Sequence, residues 1–349
     1  MKRKAIVFWI FAFALITVVC LWLVFSAEII KLIQSNNTIL AGKITDIQYS
    51  TVFDVYYKNK IIKSFTSKDD AISYSKNFKY TYVKESNNDK WIYSNFKPFI
   101  LFDDDKFIND YYSFSDAIFF ARDKEKAIIY FRDNSNIIWS YSESLKENIL
   151  LDVPVILQYP ELPRGCEVTS LAMLLNFAGI EVDKMELAEK IKKDETPYSI
   201  KGNRVYFGNP NDGFVGDIYS LTNHGLGVYN GPIEELMEEY LPNQTINLTG
   251  CEFEDLLYFL SRGYPVWVIT NSRYKKLDDS EFEIWMTPSG PVEITYRLHA
   301  VVITGYDEKY IYFNDPFYNK KNIKLNKDIF KEGWNQLGRQ AISYIQLNE

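Results

Sequence analysis

The chain has 349 residues, a net charge of −7 and 47% apolar residues, which sets an expectation of about two domains. No basic run follows the first few residues, so a nucleic-acid partner is excluded, because phosphate binding needs a concentrated positive face. Three cysteines and two histidines, with no Cys-x-x-Cys or His-x-x-x-His spacing, give no disulfide framework, no metal site and no cofactor.

Lys2, Arg3 and Lys4 precede an uncharged run from Ala5 to Ala27. About 20 apolar residues span a bilayer core, and the positive flank stays inside. Residues 1–27 are therefore expected to be a single-pass anchor that places the rest of the chain outside the cytoplasm. The alternative is a signal peptide cut after Ser26, giving a secreted protein; its apolar core is usually ~7–15 residues, shorter than this run. Cys20 follows the bulky Val19 and reads as an ordinary membrane residue rather than a lipidation site. Residues 28–52 read as a polar linker.

Residues 53–145 contain a duplication. Tyr56 to Ile62 aligns with Phe102 to Ile108, and Asp70-Ala71-Ile72 aligns with Asp116-Ala117-Ile118. Trp91-Ile92-Tyr93-Ser94 aligns with Trp139-Ser140-Tyr141-Ser142 if two residues are inserted. Each copy reads strand, short helix, strand, turn, strand, with Asn- and Asp-rich hairpin turns. This module holds neither histidine nor cysteine. It is expected to be a spacer or a binding module for an envelope partner, or else a support for the second half.

Residues 146–349 form the second domain. Pro160 and Pro163 suggest an extended approach, and Gly165 permits close packing. Val168, Leu171, Ala172, Leu175 and Ala178 then recur at helical spacing, with Gly179 at the expected C-terminus. Cys166 thus falls in the first turn of a buried helix, where free N–H groups and the helix dipole favour a thiolate. Asp183 and Glu186 suggest a capping box for the next helix. Tyr198 to Asp217 is rich in Gly, Asn, Pro and Asp and reads as a long loop. Helices follow over about 231–240 and 252–262. Strands are expected at 265–270, 295–304 and 310–315. Helix first and sheet second is an α+β plan.

If Thr304 pairs with Tyr310 across the 305–309 loop, His299 lies directly opposite Asp315. Side chains so placed have Cβ atoms roughly 4.5–5.5 Å apart. The carboxylate then orients the imidazole through Nδ1–H, and His299 takes the Cys166 proton to give a thiolate–imidazolium pair. His224 reads as a surface-turn residue, and Cys251 as a packing residue near a helix start. The Cys166 N–H and the Gln158 amide are the candidate oxyanion donors.

Gln158, the run Gly165-Cys166-Glu167-Val168-Thr169-Ser170-Leu171-Ala172-Met173, the run His299 to Asp307, and Asn314-Asp315-Pro316 together resemble the papain-fold cysteine peptidases. More narrowly, the chain resembles the bacterial extracytoplasmic relatives of the double-glycine leader peptidases, over about 151–347. The resemblance implies a papain-like domain in which Cys166 is the nucleophile, His299 the base, Asp315 its orienter and Gln158 an oxyanion residue. The expected function is a membrane-anchored cysteine peptidase acting outside the cytoplasm on a peptide or protein. The alternative is a catalytically silent or acyl-transferring protein that serves as an envelope scaffold.

Overall fold

The computed structural model describes residues 22–34 and 51–347. Most of the expected anchor, Cys20 included, lies outside the described residues. Residues 22–34 are helical, with Trp22, Phe25, Ile29 and Ile33 exposed. Among the described residues no helix is long and apolar enough to cross a membrane, so the expected span is not seen in the fold. Residues 53–349 make a second compact unit.

That unit begins with the duplication. The first copy runs through strands Phe53–Tyr57 and Lys60–Phe65, helix Lys68–Ser75, and strands Thr81–Glu85 and Trp91–Ser94. The second runs through Phe99–Asp103 and Lys106–Tyr111, helix Phe114–Ala121, and Ala127–Phe131 and Ile137–Ser140. Each copy is a four-stranded antiparallel sheet with its first strand between the second and third. Ser67 and Ser113 cap the two helices in the same way, accepting from Asp70 N and Asp116 N. The single opening strand expected in each copy is a hairpin. The two-residue insertion is absent: Trp91 pairs with Lys84 where Ile137 pairs with Tyr130. The copies therefore keep one offset throughout, and the likeness of Trp91 to Trp139 is a sequence coincidence rather than a structural equivalence.

The second half is built on an antiparallel sheet in the order Thr245–Asn247, Ala341–Tyr344, Val266–Asn271, Leu298–Tyr306, Tyr310–Asn314, Ile323–Asn326, with Ile149–Leu150 added beside Leu298–Tyr306. Both faces are covered. Trp267, Ile269, Ala300 and Val302 pack with the Cys166–Phe177 helix. Val266, Val268, Val301 and Ile303 face the opposite core, which holds the Phe253–Ser261 and Lys327–Gln336 helices. Burial on both faces explains why these strands read as unbroken apolar runs.

The same core continues into the second repeat. Phe114, Ala117 and Ile118 are buried with Leu256, Phe259 and Phe313, and the Phe114 and Phe259 rings meet edge to face at 5.6 Å. Arg122 pairs with the buried Asp255, and Tyr258 gives its hydroxyl to Glu143 while accepting from Ser140 N. The expected boundary at 145/146 thus lies within one continuous core. The expected 198–217 loop is partly a hairpin, Ser199–Lys201 with Arg204–Tyr206, which adds to the Glu283–Thr287 and Gly290–Ile294 pair.

Candidate active site

The Cys166–Phe177 helix is buried on all sides over its first ten residues. Residues 159–165 reach it through consecutive turns rather than an extended segment, with Leu162 N bonded to Gln158 O and Gly165 N to Leu162 O. A Cβ on Gly165 would lie 2.5 Å from Leu162 Cβ, so only glycine lets the turn close against the helix start. Gly179, at φ +89, ends the segment in the left-handed conformation.

The histidine and aspartate come from neighbouring strands, in a different register from the one expected. The pairs are Val302 with Asn314 and Ile303 with Phe313, and a bulge follows between Ile303 and Gly305. Extended one step, this register sets Asp315 against Val301, and His299 becomes a diagonal neighbour. A shift of two positions leaves both side chains on one face, and diagonal neighbours remain within reach of long side chains. His299 Nε2 lies 2.9 Å from Asp315 Oδ1. Nε2, rather than the expected Nδ1, faces the carboxylate. Nδ1 is buried and has no hydrogen-bond partner among the described residues.

Asp315 is held from three sides. Oδ1 also accepts from Phe317 N at 2.7 Å, and Oδ2 accepts from the Tyr274 hydroxyl. The Phe317 ring stacks on His299 at 4.2 Å. Burial lowers the basicity of the fully enclosed imidazole, so His299 is neutral in the resting site.

Cys166 approaches the histidine strand through Ala300, whose backbone favours the thiolate. Its Sγ–H, however, donates to Glu167 Oε2 at 3.2 Å, and no bond joins Sγ to His299 Nδ1. Burial, followed by the neighbouring Glu167 charge, pushes the thiol well above its ordinary range. This reverses the expectation of a lowered pKa. A helix terminus contributes about 0.3–1 kcal/mol, whereas full burial shifts a pKa by up to ~3–5 units at about 1.4 kcal/mol per unit.

Gln158 is buried beside this site. Its amide donates to Leu162 O at 3.1 Å and Pro163 O at 2.9 Å, tying down the approach turn, while Oε1 has no partner. Gln158 and Cys166 line a cleft of about 590 Å³, with Arg164, Tyr198, His224 and Phe317 on its walls. His224 is stacked on Tyr198 at 3.6 Å. Arg164 donates to Asp217 O, Ser220 O, Leu221 O and Asn223 O, which fixes the 217–223 loop as one wall. Cys166 and Cys251 are both free thiols.

The sequence reading gave Glu167, Tyr274 and Phe317 no role. A carboxylate inside the first turn of an otherwise uncharged, buried helix was the available signal for Glu167. Tyr274 lies far from Asp315 in sequence and carried none.

A buried helix-start cysteine and a carboxylate-bound histidine on an antiparallel sheet define a thiol peptidase fold. The chain belongs to the Peptidase_C39 like family, whose model matches residues 150–342. It is 45% identical over 183 residues to the uncharacterized protein YvpB of Bacillus subtilis, covering 52% of this chain and 70% of that protein. A crystal structure from Bacillus anthracis, described as a C39-like peptidase, superposes with a TM-score of 0.55 at 46% identity, covering 58% of this chain and all of that one.

Proposed function

We propose that the protein is a cysteine peptidase that cleaves a peptide or amide bond through a thioester on Cys166. The observation that carries this reading is the buried, unpartnered His299 Nδ1, on a ring whose Nε2 is bound to Asp315. An Nε2–H donor fixes the tautomer and leaves Nδ1 as the proton acceptor. On substrate binding, Sγ turns to Nδ1, gives up its proton and attacks the carbonyl carbon. The imidazolium, facing Asp315, then protonates the leaving amine. Water, deprotonated by the same nitrogen, hydrolyses the thioester. The N–H groups of the first helical turn have no intrahelical acceptor and suit the oxyanion. Gln158 contributes there only if its amide leaves the two carbonyls it now binds.

The reading extends to placement. The uncharged run 5–27 and the exposed apolar side chains Trp22, Leu23, Val24 and Phe25 at its end support an anchor with the catalytic domain outside the cytoplasm. A secreted form would arise if the segment is cut. Residues 53–145 then act as a support for the catalytic half, through their shared core, or as an envelope-binding face. Acyl transfer uses the same thioester and differs only in the acceptor.

The test is digestion of a peptide library by the full chain in detergent, read by mass spectrometry, with Cys166→Ala as the comparison. Loss of all cleavage in a folded Cys166→Ala protein is expected. Equal cleavage by that variant overturns the mechanism.

A further inference from the structure

The proposed mechanism makes no use of Glu167, although its carboxylate is the hydrogen-bond partner of the reacting sulfur. Glu167 is fully buried. Oε2 accepts the Cys166 thiol at 3.2 Å, and Oε1 accepts Val228 N at 3.0 Å. Gly227, just before Val228 in the chain, makes room for it: a Cβ there would lie 2.1 Å from Oε1, and its φ of +150 suits glycine. From the sheet, Trp267 Nε1 donates to the Glu167 carbonyl at 3.0 Å. The carboxylate is therefore seated in a built niche rather than left over from a surface.

We propose that Glu167 holds the thiol proton of resting Cys166 and thereby governs how readily His299 takes it. This rests on the reading of Cys166 as the nucleophile. Two facts support the proposal independently: the thiol is bonded to Glu167, and the imidazole nitrogen meant for that proton has no partner.

The chemistry balances within the pair. In the resting state the niche carries one proton and one negative charge. Moving the proton breaks Sγ–H and forms Oε2–H, and the charge passes from carboxylate to sulfur. While Glu167 is ionised, a thiolate beside it puts two negative charges together in a buried site. Once Glu167 is protonated, it donates to the thiolate instead of opposing it. Burial pushes the Glu167 carboxyl up to about 7, so both forms are accessible near neutrality.

The surrounding groups leave this balance to the pair. Tyr229, from the segment leading into the Asn230–Tyr240 helix, is pushed up to about 12 by burial and by Glu293 and Glu167, and stays neutral. Asp315, on the neighbouring strand end, acts on Cys166 only as a further negative charge. The remaining groups acting on Glu167 are backbone N–H donors and Cys166 itself, so no cation among the described residues neutralises it.

The experiment is the rate of Cys166 alkylation by iodoacetamide against pH in the full chain, with Cys251 separated by peptide mapping. It needs no substrate, so it is independent of whether peptide cleavage is ever found. In the wild type the rate is expected to climb to pH about 7, level off well below the full thiolate rate, and climb again in alkali, as coupled sites do. In Glu167→Gln a single rise that does not pause near pH 7 is expected, with a rate at pH 8 about tenfold higher than in the wild type, because one unit above its pKa about nine-tenths of Glu167 is ionised and opposes the thiolate. A wild-type profile with one inflection, or one coincident with Glu167→Gln, overturns the proposal. If Glu167→Gln does not fold, the two-step wild-type profile decides alone.

Discussion

Asp315→Asn separates orientation from charge at the histidine. In the wild type, Asp315 accepts from His299 Nε2 at 2.9 Å, from Phe317 N at 2.7 Å and from the Tyr274 hydroxyl. An asparagine with its carbonyl in the Oδ1 position keeps the first two bonds. Its amide then faces Tyr274, whose hydroxyl can turn to accept. The scaffold should survive, with a stability loss within about 1 kcal/mol. The negative charge that favours imidazolium is lost. A hydrogen bond to a charged group contributes about 1.5–3 kcal/mol against about 0.5–1.5 for a neutral one. The difference, about 1.4 kcal/mol, is tenfold in rate. Asp315→Ala instead leaves three donors unpaired at about 1–3 kcal/mol each and should be destabilised by several kcal/mol. Urea melts and the rate of peptide cleavage at pH 7, compared across the three proteins, give both readouts. An Asp315→Asn protein that cleaves at the wild-type rate would refute the role of the charge. One as unstable as Asp315→Ala would refute the three-donor geometry.

Phe114→Ala should cost about 3–5 kcal/mol and lower the midpoint of a single transition that includes the catalytic half, because Phe114 is fully buried in the shared core. Two separate transitions by calorimetry would contradict that continuity. Arg164→Met removes the donors to Asp217 O, Leu221 O and Asn223 O, so amide exchange over 217–225 should accelerate while the Cys166–Phe177 helix stays protected; unchanged exchange counts against it. The Glu167 carboxyl is raised from 4.5 to about 7 in the fold. A raised carboxyl favours the folded state below the unfolded value, and that contribution is lost as pH rises through the folded one. Relative to Glu167→Gln, the wild type should therefore lose about 3 kcal/mol between pH 4.5 and 8; parallel stability curves would show the carboxyl is not buried as described.

The sequence by itself determined a good part of this protein. Local pattern placed the Cys166 helix, its glycine C-terminus and the apolar strands, because 3.6-residue periodicity, left-handed glycine and two-sided burial each leave a mark within a few residues. The 46-position spacing of Lys60 and Lys106, and of Asp70 and Asp116, was equally legible. The pairing of His299 with Asp315 was found from hairpin counting through a register that was off by two, since an even slip preserves the face.

Tertiary structure decided the rest. The bulge after Ile303 depends on Gly305, where a Cβ would lie 2.2 Å from Ile149 O, and that approach comes from a strand about 150 residues earlier. The shared core of Phe114 and Phe259 joins segments whose local patterns are complete without each other. The rise in the Cys166 pKa reverses what its helix position implies, because the dipole acts locally while desolvation is set by the whole molecule. Glu167 lay in plain sight beside the cysteine, but only the Val228 N–H and the space left by Gly227 turn that carboxylate towards the sulfur.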